Sequence, residues 1–237
     1  MTQQATPTGK KLKVKAMFND IAPKYDFLNH FLSLGIDIHW RKKVRKLLAP
    51  YKPKTILDVA TGTGDLAVEL SKLQPEKIIG LDIATNMLDI GKKKIKAKKL
   101  DQLIEMQLGD SEDLPFEDQT FEAVTVAFGV RNFENLQKGL KEMNRVLKPG
   151  GVAAILEFSK PKAFPVKQVY NFYFKYILPD FGKLVSKSKD AYTYLPESVS
   201  TFPEDKAFLE ELAQAGFTKN IQKRLTMGIA TLYSAHK

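Results

Sequence analysis

Apolar positions along the chain follow two different periods. Between Val14 and Leu48 they recur three and four residues apart. The series runs through Val14, Met17, Phe18 and Ile21, then Trp40, Val44, Leu47 and Leu48, which predicts helices. Pro23 and Gly35 are expected to break this region into short pieces, and Pro50 and Pro53 to end it. From residue 54 strand-like runs alternate with helical ones. KTILDVA, KIIGLDIA, LIEMQLGD, FEAVTVAFG and GVAAILEFS read as strands. DLAVELSKL, TNMLDIGKKKIKAKKL and ENLQKGLKEMNRVL read as helices, the second with Thr85 as N-cap. The third stops before Pro149-Gly150-Gly151.

Strands separated by helix-length segments imply right-handed crossovers and a mainly parallel sheet. Residues 160–200 leave that rhythm as an aromatic-rich insertion. The helical run PEDKAFLEELAQAG follows. KNIQKRLTMGIATLYSAHK then reads as two strands around Met227-Gly228, an antiparallel pair at the sheet edge. The expected fold is α/β with a mainly parallel seven-stranded sheet. Residues 1–12 are expected to be a disordered basic tail. Residues 13–237 are expected to be a single domain, with a helical cap over 13–50.

The stretch ILDVATGTGDLAVEL, residues 56–70, carries the first chemistry. A buried strand holds Asp58 just before a turn with Gly62 and Gly64. Ligands of open parallel sheets bind beyond the carboxyl ends of the strands, and glycine lets them approach the backbone. Asp82 ends the second strand at the offset where an acid accepts from ribose hydroxyls. Asp110 ends the third, placed to accept from an adenine amino group, with the Ser111 N–H beside it for a ring nitrogen. The turn lacks the third glycine of G-x-G-x-x-G, and no Walker lysine follows, so a pyrophosphate is not the natural guest. Three carboxylates suit a cationic adenine nucleoside such as S-adenosylmethionine, with Asp58 serving its amino group.

Composition narrows the class. The chain has 237 residues, 43% hydrophobic, enough for a sizeable core. It has no cysteine, which excludes disulfides, thiolate metal sites and a cysteine nucleophile. His30, His39 and His236 lack metal-ligand spacing, so no metal site is expected. No run of about 18 apolar residues is present, and the N-terminus lacks a signal-length apolar stretch. A cytoplasmic protein is expected. The net charge is +10, and residues 1–54 hold twelve Lys or Arg against three Asp, a net +9. That excess reads as attraction to an anionic surface or as solvated helix faces. The lysine run at 92–99 reads as a solvated face.

Three further stretches carry a resemblance: YDFLNHFLSLGIDIHW (25–40), FGVRNF (128–133) and RVLKPGGVAAILEFS (145–159). With the glycine turn, the chain resembles the quinone-biosynthesis C-methyltransferases, within the Rossmann-like class I S-adenosylmethionine-dependent methyltransferases. The resemblance covers nearly all of residues 14–236. It implies cofactor contacts at Thr63, Asp82, Asp110 and Ser111, beside Asp58 and Gly62 read from the turn. Ala60 stands at the first glycine of the broad pattern, Asp37 replaces a frequent histidine, and Ala153 stands where a larger apolar residue is usual.

The reaction the resemblance implies is C-methylation of a reduced polyprenyl quinol, most simply demethylmenaquinol, with a ubiquinone-precursor benzoquinol as the alternative. Tyr25, Arg131 and Asn132 are the expected substrate-binding residues. Arg131 and His39 are the candidate catalytic residues, Arg131 either steadying phenolate charge or fixing its loop by a salt bridge. Tyr170, Phe172, Tyr173, Phe174, Tyr176, Ile177 and Leu178, with Lys167 and Lys175 nearby, suit a prenyl-tail channel or peripheral membrane contact. A homodimer contact or plain core is the other use of those residues. A nucleic-acid methyltransferase is the rival class. FGVRNF lacks an N-P-P-Y-type loop for a flipped base, so no nucleic-acid partner is expected.

Overall fold

The computed structural model describes residues 9–33, 35–173 and 190–237. Two helices, α1 (Gly9–Leu32) and α2 (Ile36–Leu48), precede the sheet. The alternating core follows as β1 (Thr55–Val59), α3 (Asp65–Leu70), β2 (Lys77–Asp82), α4 (Thr85–Ala97), β3 (Ile104–Leu108), β4 (Phe121–Ala127), α5 (Leu136–Val146) and β5 (Leu147–Phe158). Then come α6 (Val166–Phe172), α7 (Asp190–Thr201), α8 (Lys206–Gln214), β6 (Thr218–Leu225) and β7 (Ala230–His236).

The seven strands lie in the order β3-β2-β1-β4-β5-β7-β6. Strands β1 to β5 pair parallel, and β7 runs antiparallel between β5 and β6. The expected sheet, with its C-terminal antiparallel pair, is therefore present. Strand order reverses between β1 and β4, which opens a crevice at their carboxyl ends. Both faces of the sheet are buried. Along β5, Val152, Ala154 and Leu156 pack with Trp40, Val44 and Leu48 of α2. Ala153 and Ile155 face the opposite way, toward Leu140 and Met143 of α5 and Phe208 of α8. Period-two alternation with two apolar faces is what a doubly covered sheet requires. Ala153 fits because its face is already filled by α5 and α8.

Several expectations need correction. Helix α1 begins at Gly9, so residues 9–12 are helical, not a disordered tail; residues 1–8 lie outside the described residues. Pro23 does not break α1. A proline removes the donor to the carbonyl four residues earlier. That carbonyl, on Asn19, accepts from Asn86 Nδ2 instead, at 3.1 Å. The same contact replaces the expected cap on α4. The N-cap is Ala84, without a side-chain bond, and the Asn86 N–H donates to Asn19 Oδ1 at 2.9 Å. One asparagine thus compensates a proline in one helix and caps another. Strand β5 starts at Leu147, ahead of Pro149-Gly150-Gly151, and its register with β4 slips between Phe121 and Ala123.

Candidate cofactor cleft

A cleft opens at the carboxyl ends of β1, β2, β3 and β4, with about 660 Å³ of atom-free space, part of it open to solvent. Asp82, Asp110 and Ser111 line one wall, and Ala60, Gly62 and Phe128 the floor. Helix α1 closes the opposite side with Lys11, Val14, Phe18 and Tyr25. A smaller cavity continues beneath it and shares Tyr25, Ala60, Gly62, Ala127 and Phe128. Asp58, Thr63 and Arg41 line that second cavity.

The turn after β1 is built for close approach. Gly62 and Gly64 have φ of +59° and +81°, the left-handed region where a side chain is strained. Ala60 also has a positive φ, +51°, at the position where the broad pattern has glycine. The Gly62 N–H donates to Asp82 Oδ2 at 2.8 Å, and the Ala84 N–H to Oδ1 at 2.8 Å. The β2 carboxylate therefore fixes the turn as well as facing the cleft. Burial pushes its pKa up, opposed by these backbone N–H groups.

Asp58 is buried and accepts from the hydroxyls of Thr61 (2.6 Å) and Thr125 (2.7 Å). Burial raises its pKa to about 6, against the two hydroxyls and the Arg41 charge. Asp110 is half exposed and ion-paired with Lys11 at 2.7 Å. Thr63 turns from the larger cleft. Its hydroxyl donates to Asp26 Oδ1 at 2.5 Å and accepts from Lys94 at 3.0 Å. Lys94 also pairs with Asp26 and Asp65, both at 2.6 Å, so one lysine of the 92–99 run points inward.

Beyond the turn the picture shifts. Arg131, in a short turn of 3-10 helix after β4, does not line the cleft. Its Nη1 donates to the Phe128 carbonyl at 2.5 Å and to Glu157 at 2.6 Å, inside the protein. The salt-bridge alternative is therefore the observed geometry. Its Nε has no hydrogen-bond partner among the described residues. Its charge acts on the hydroxyls of Tyr25 and Tyr194, whose pKa values burial raises and Arg131 opposes. Asn132 does line the cleft, and its Oδ1 accepts from Tyr194 of α7 at 3.0 Å.

His39, a candidate catalytic residue, does not line the cleft. The buried stripe of α2 is Asp37, Trp40, Arg41, Val44 and Leu48, and His39 falls off it, exposed. His30 is the histidine beside the cavity, with Nδ1 2.8 Å from Asp37 and Nε2 3.6 Å from Asp65. Arg41, Lys11, Glu157 and Tyr194 are further charged or polar neighbours that the sequence reading passed over. Glu157 had a signal, since it interrupts an apolar strand as Asp58 does. Phe174, Lys175, Tyr176, Ile177 and Leu178 lie outside the described residues. Among the described residues no group of three or more His, Asp or Glu is placed to hold a metal ion.

The donor set fits S-adenosylmethionine: a glycine turn, two buried carboxylates and a third at the cleft mouth, with no phosphate cradle. Comparison with known proteins agrees. A demethylmenaquinone methyltransferase of Bacteroides fragilis is 48% identical over 231 residues, covering 97% of this chain and 94% of that protein. A ubiquinone/menaquinone biosynthesis C-methyltransferase of Geotalea daltonii is 46% identical, covering 97% and 98%. The crystal structure of a SAM-dependent methyltransferase from Thermotoga maritima superposes with a TM-score of 0.64 at 18% identity, covering 94% and 99%, a likeness of fold. Residues 6–237 match a single family description, and with the cleft and the relatives in agreement the chain belongs to the ubiE/COQ5 methyltransferase family.

Proposed function

We propose that this methyltransferase converts a reduced demethylmenaquinol to menaquinol by methylating a ring carbon beside a hydroxyl. The observation that carries the reading is the near-full-length similarity to the Bacteroides fragilis demethylmenaquinone methyltransferase. S-adenosylmethionine, when bound, supplies an electrophilic methyl group. Asp82 and Asp110 would hold its adenosine end, with Ser111 beside them, and Asp58, Gly62 and Thr63 its amino-acid end. The ring must be the quinol, whose hydroxyls feed electron density to the attacking carbon; a quinone ring is electron-poor. Asn132, fixed by Tyr194, would hold a quinol oxygen. Tyr25 closes the cleft over the ring. Arg131, held on Glu157 outside the cleft, acts on developing phenolate charge only through its field. Alignment of carbon and methyl in the cleft supplies the larger share, for which about 7–11 kcal/mol is the upper range in model systems.

Phe164, Val169 and Phe172 are 80%, 64% and 57% exposed around α6, with the exposed Lys167 beside them. No helix of the described residues is long and apolar enough to cross a membrane. This face suits peripheral contact with an anionic bilayer, from which a prenylated quinol is drawn. Co-sedimentation with phosphatidylglycerol vesicles, lost in Phe164→Ser, tests it. A dimer in solution that dissociates in the same variant would assign the face to a second copy instead.

The test of the reaction is methyl transfer from labelled S-adenosylmethionine to demethylmenaquinone and to a demethylated benzoquinone precursor, each with and without reductant. Label in the naphthoquinol, only under reduction, supports the reading. Label only in the benzoquinol moves the substrate to the ubiquinone branch. Label in neither, with the cofactor bound, overturns the quinol assignment.

A further inference from the structure

The turn after β4 carries Asn132 into the cleft, and charged side chains from elsewhere grip its backbone. Lys10, in the first turn of α1, donates from Nζ to the Phe133 carbonyl at 2.6 Å and to the Arg131 carbonyl at 3.4 Å. Those two carbonyls flank Asn132. Glu112, buried beyond the end of β3, takes the N–H groups that follow. Its Oε1 accepts from Glu134 at 2.7 Å and from Asn135 at 3.2 Å. One cation thus holds carbonyls of the turn and one carboxylate its N–H groups. Tyr194 fixes the Asn132 amide, but not the backbone that bears it.

The next residue of α1 reaches a different wall. Lys11 lies 2.7 Å from Asp110 and 3.3 Å from Glu112. Adjacent lysines on one rigid helix cannot dock independently, so α1 seated at Asp110 is also seated on the Asn132 turn. The same helix covers the cleft with Val14, Phe18 and Tyr25. An ammonium suits the turn because its three donors can meet two carbonyls at once.

We propose, on the reading that Asn132 holds a quinol oxygen, that Lys10 is a positioning residue for the quinol. By clasping the carbonyls on either side of Asn132, it makes closure of α1 over the cofactor set the quinol site. Cofactor and quinol then strengthen each other's binding by one shared factor.

Calorimetric binding of a short-tailed demethylmenaquinone, with and without saturating S-adenosylhomocysteine, tests this without turnover. The proteins are wild type, Lys10→Met, Lys10→Arg and Asn132→Ala. In wild type the bound nucleoside should strengthen quinone binding about 10-fold. In Lys10→Met, which keeps an apolar stem and loses the charge, that gain should fall within about twofold, and Lys10→Arg should recover most of it. In methyl transfer, Lys10→Met should raise KM for the quinol about 5- to 10-fold, with kcat and the affinity for S-adenosylhomocysteine within about twofold. Three results overturn the proposal: no coupling in wild type, unchanged coupling in Lys10→Met, or equal weakening of both ligands in that variant, the mark of a residue that merely anchors α1. Asn132→Ala separates the two levels. Quinone binding that Asn132→Ala weakens and Lys10→Met leaves intact strikes the role of Lys10 alone. Quinone binding unchanged in Asn132→Ala strikes the reading of Asn132, and the proposal with it.

Discussion

Lys11, near the start of α1, places its ammonium 2.7 Å from the carboxylate of Asp110 at the end of β3. The two are 99 residues apart. Lys11 also reaches Glu112 at 3.3 Å, while Lys10 donates to the Phe133 carbonyl at 2.6 Å. Farther along the same helix, Asp26 pairs with Lys94. Helix α1 is thus a strap pinned at both ends across the cleft. Lys11→Ala is expected to speed release of S-adenosylhomocysteine up to about fivefold, the range of a partly exposed ion pair. Stopped-flow displacement measures it. Added salt should speed release from wild type more than from the variant.

Asp58 makes opposite predictions for stability and binding. Its pKa is about 6 in the folded protein against 3.8 for an ordinary aspartate. A carboxyl with a raised folded pKa binds its proton more tightly folded than unfolded. Its contribution to stability therefore falls as pH rises from about 4 to about 6, by on the order of 3 kcal/mol. Asp58→Asn carries no charge and lacks that slope. The free variant should melt above wild type at pH 7 and converge with it near pH 4. Cofactor affinity should move the other way and fall in the variant. Thermal melts from pH 4 to 7, with and without S-adenosylmethionine, check both signs.

Glu157 is fully buried and holds Arg131, and its Oε1 also accepts from the Phe158 N–H at 2.9 Å. Removing one partner of such a pair strands the other charge. Glu157→Gln is expected to cost about 3–5 kcal/mol in urea unfolding. Arg131→Met should cost a similar amount, and the double variant should recover most of the loss. Additive losses would mean that the two side chains act independently.

Ala60 and Gly129 share one space. A Cβ on Gly129 would lie 2.6 Å from the Ala60 Cβ and 3.0 Å from Val126. The alanine in the turn is accommodated because the loop after β4 has none. Gly129→Ala is expected to destabilise by about 1–3 kcal/mol through overpacking. Ala60→Gly should be mild, since it relieves the +51° φ. Combining them should restore much of the stability that Gly129→Ala loses, as read by a double-mutant cycle of melting temperatures.

The local features were legible without coordinates. Strand and helix periods, the glycine turn and the aspartates at the ends of three strands depend on residues within a few positions of one another. The sheet, its antiparallel edge pair and the cleft wall that carries Asp82 and Asp110 follow from them. Glu157 is legible in principle too, as a carboxylate in an apolar strand, whereas local pattern leaves Arg131 open between a quinol oxygen and a loop-fixing salt bridge.

The amino-acid sequence by itself determined an α/β sheet with a nucleoside cleft at its switch point, because hydrophobic period and turn chemistry are local. Only the tertiary structure decided which helix faces meet that cleft. It kept α1 whole across Pro23 through Asn86, turned His39 out and His30 in, buried Arg131 on Glu157, and brought Lys11 and Arg41 to the two cavities. Those outcomes depend on how α1 and α2 rotate and dock on the sheet. Such docking is set by packing and charge pairing between segments tens to a hundred residues apart, which no local pattern records.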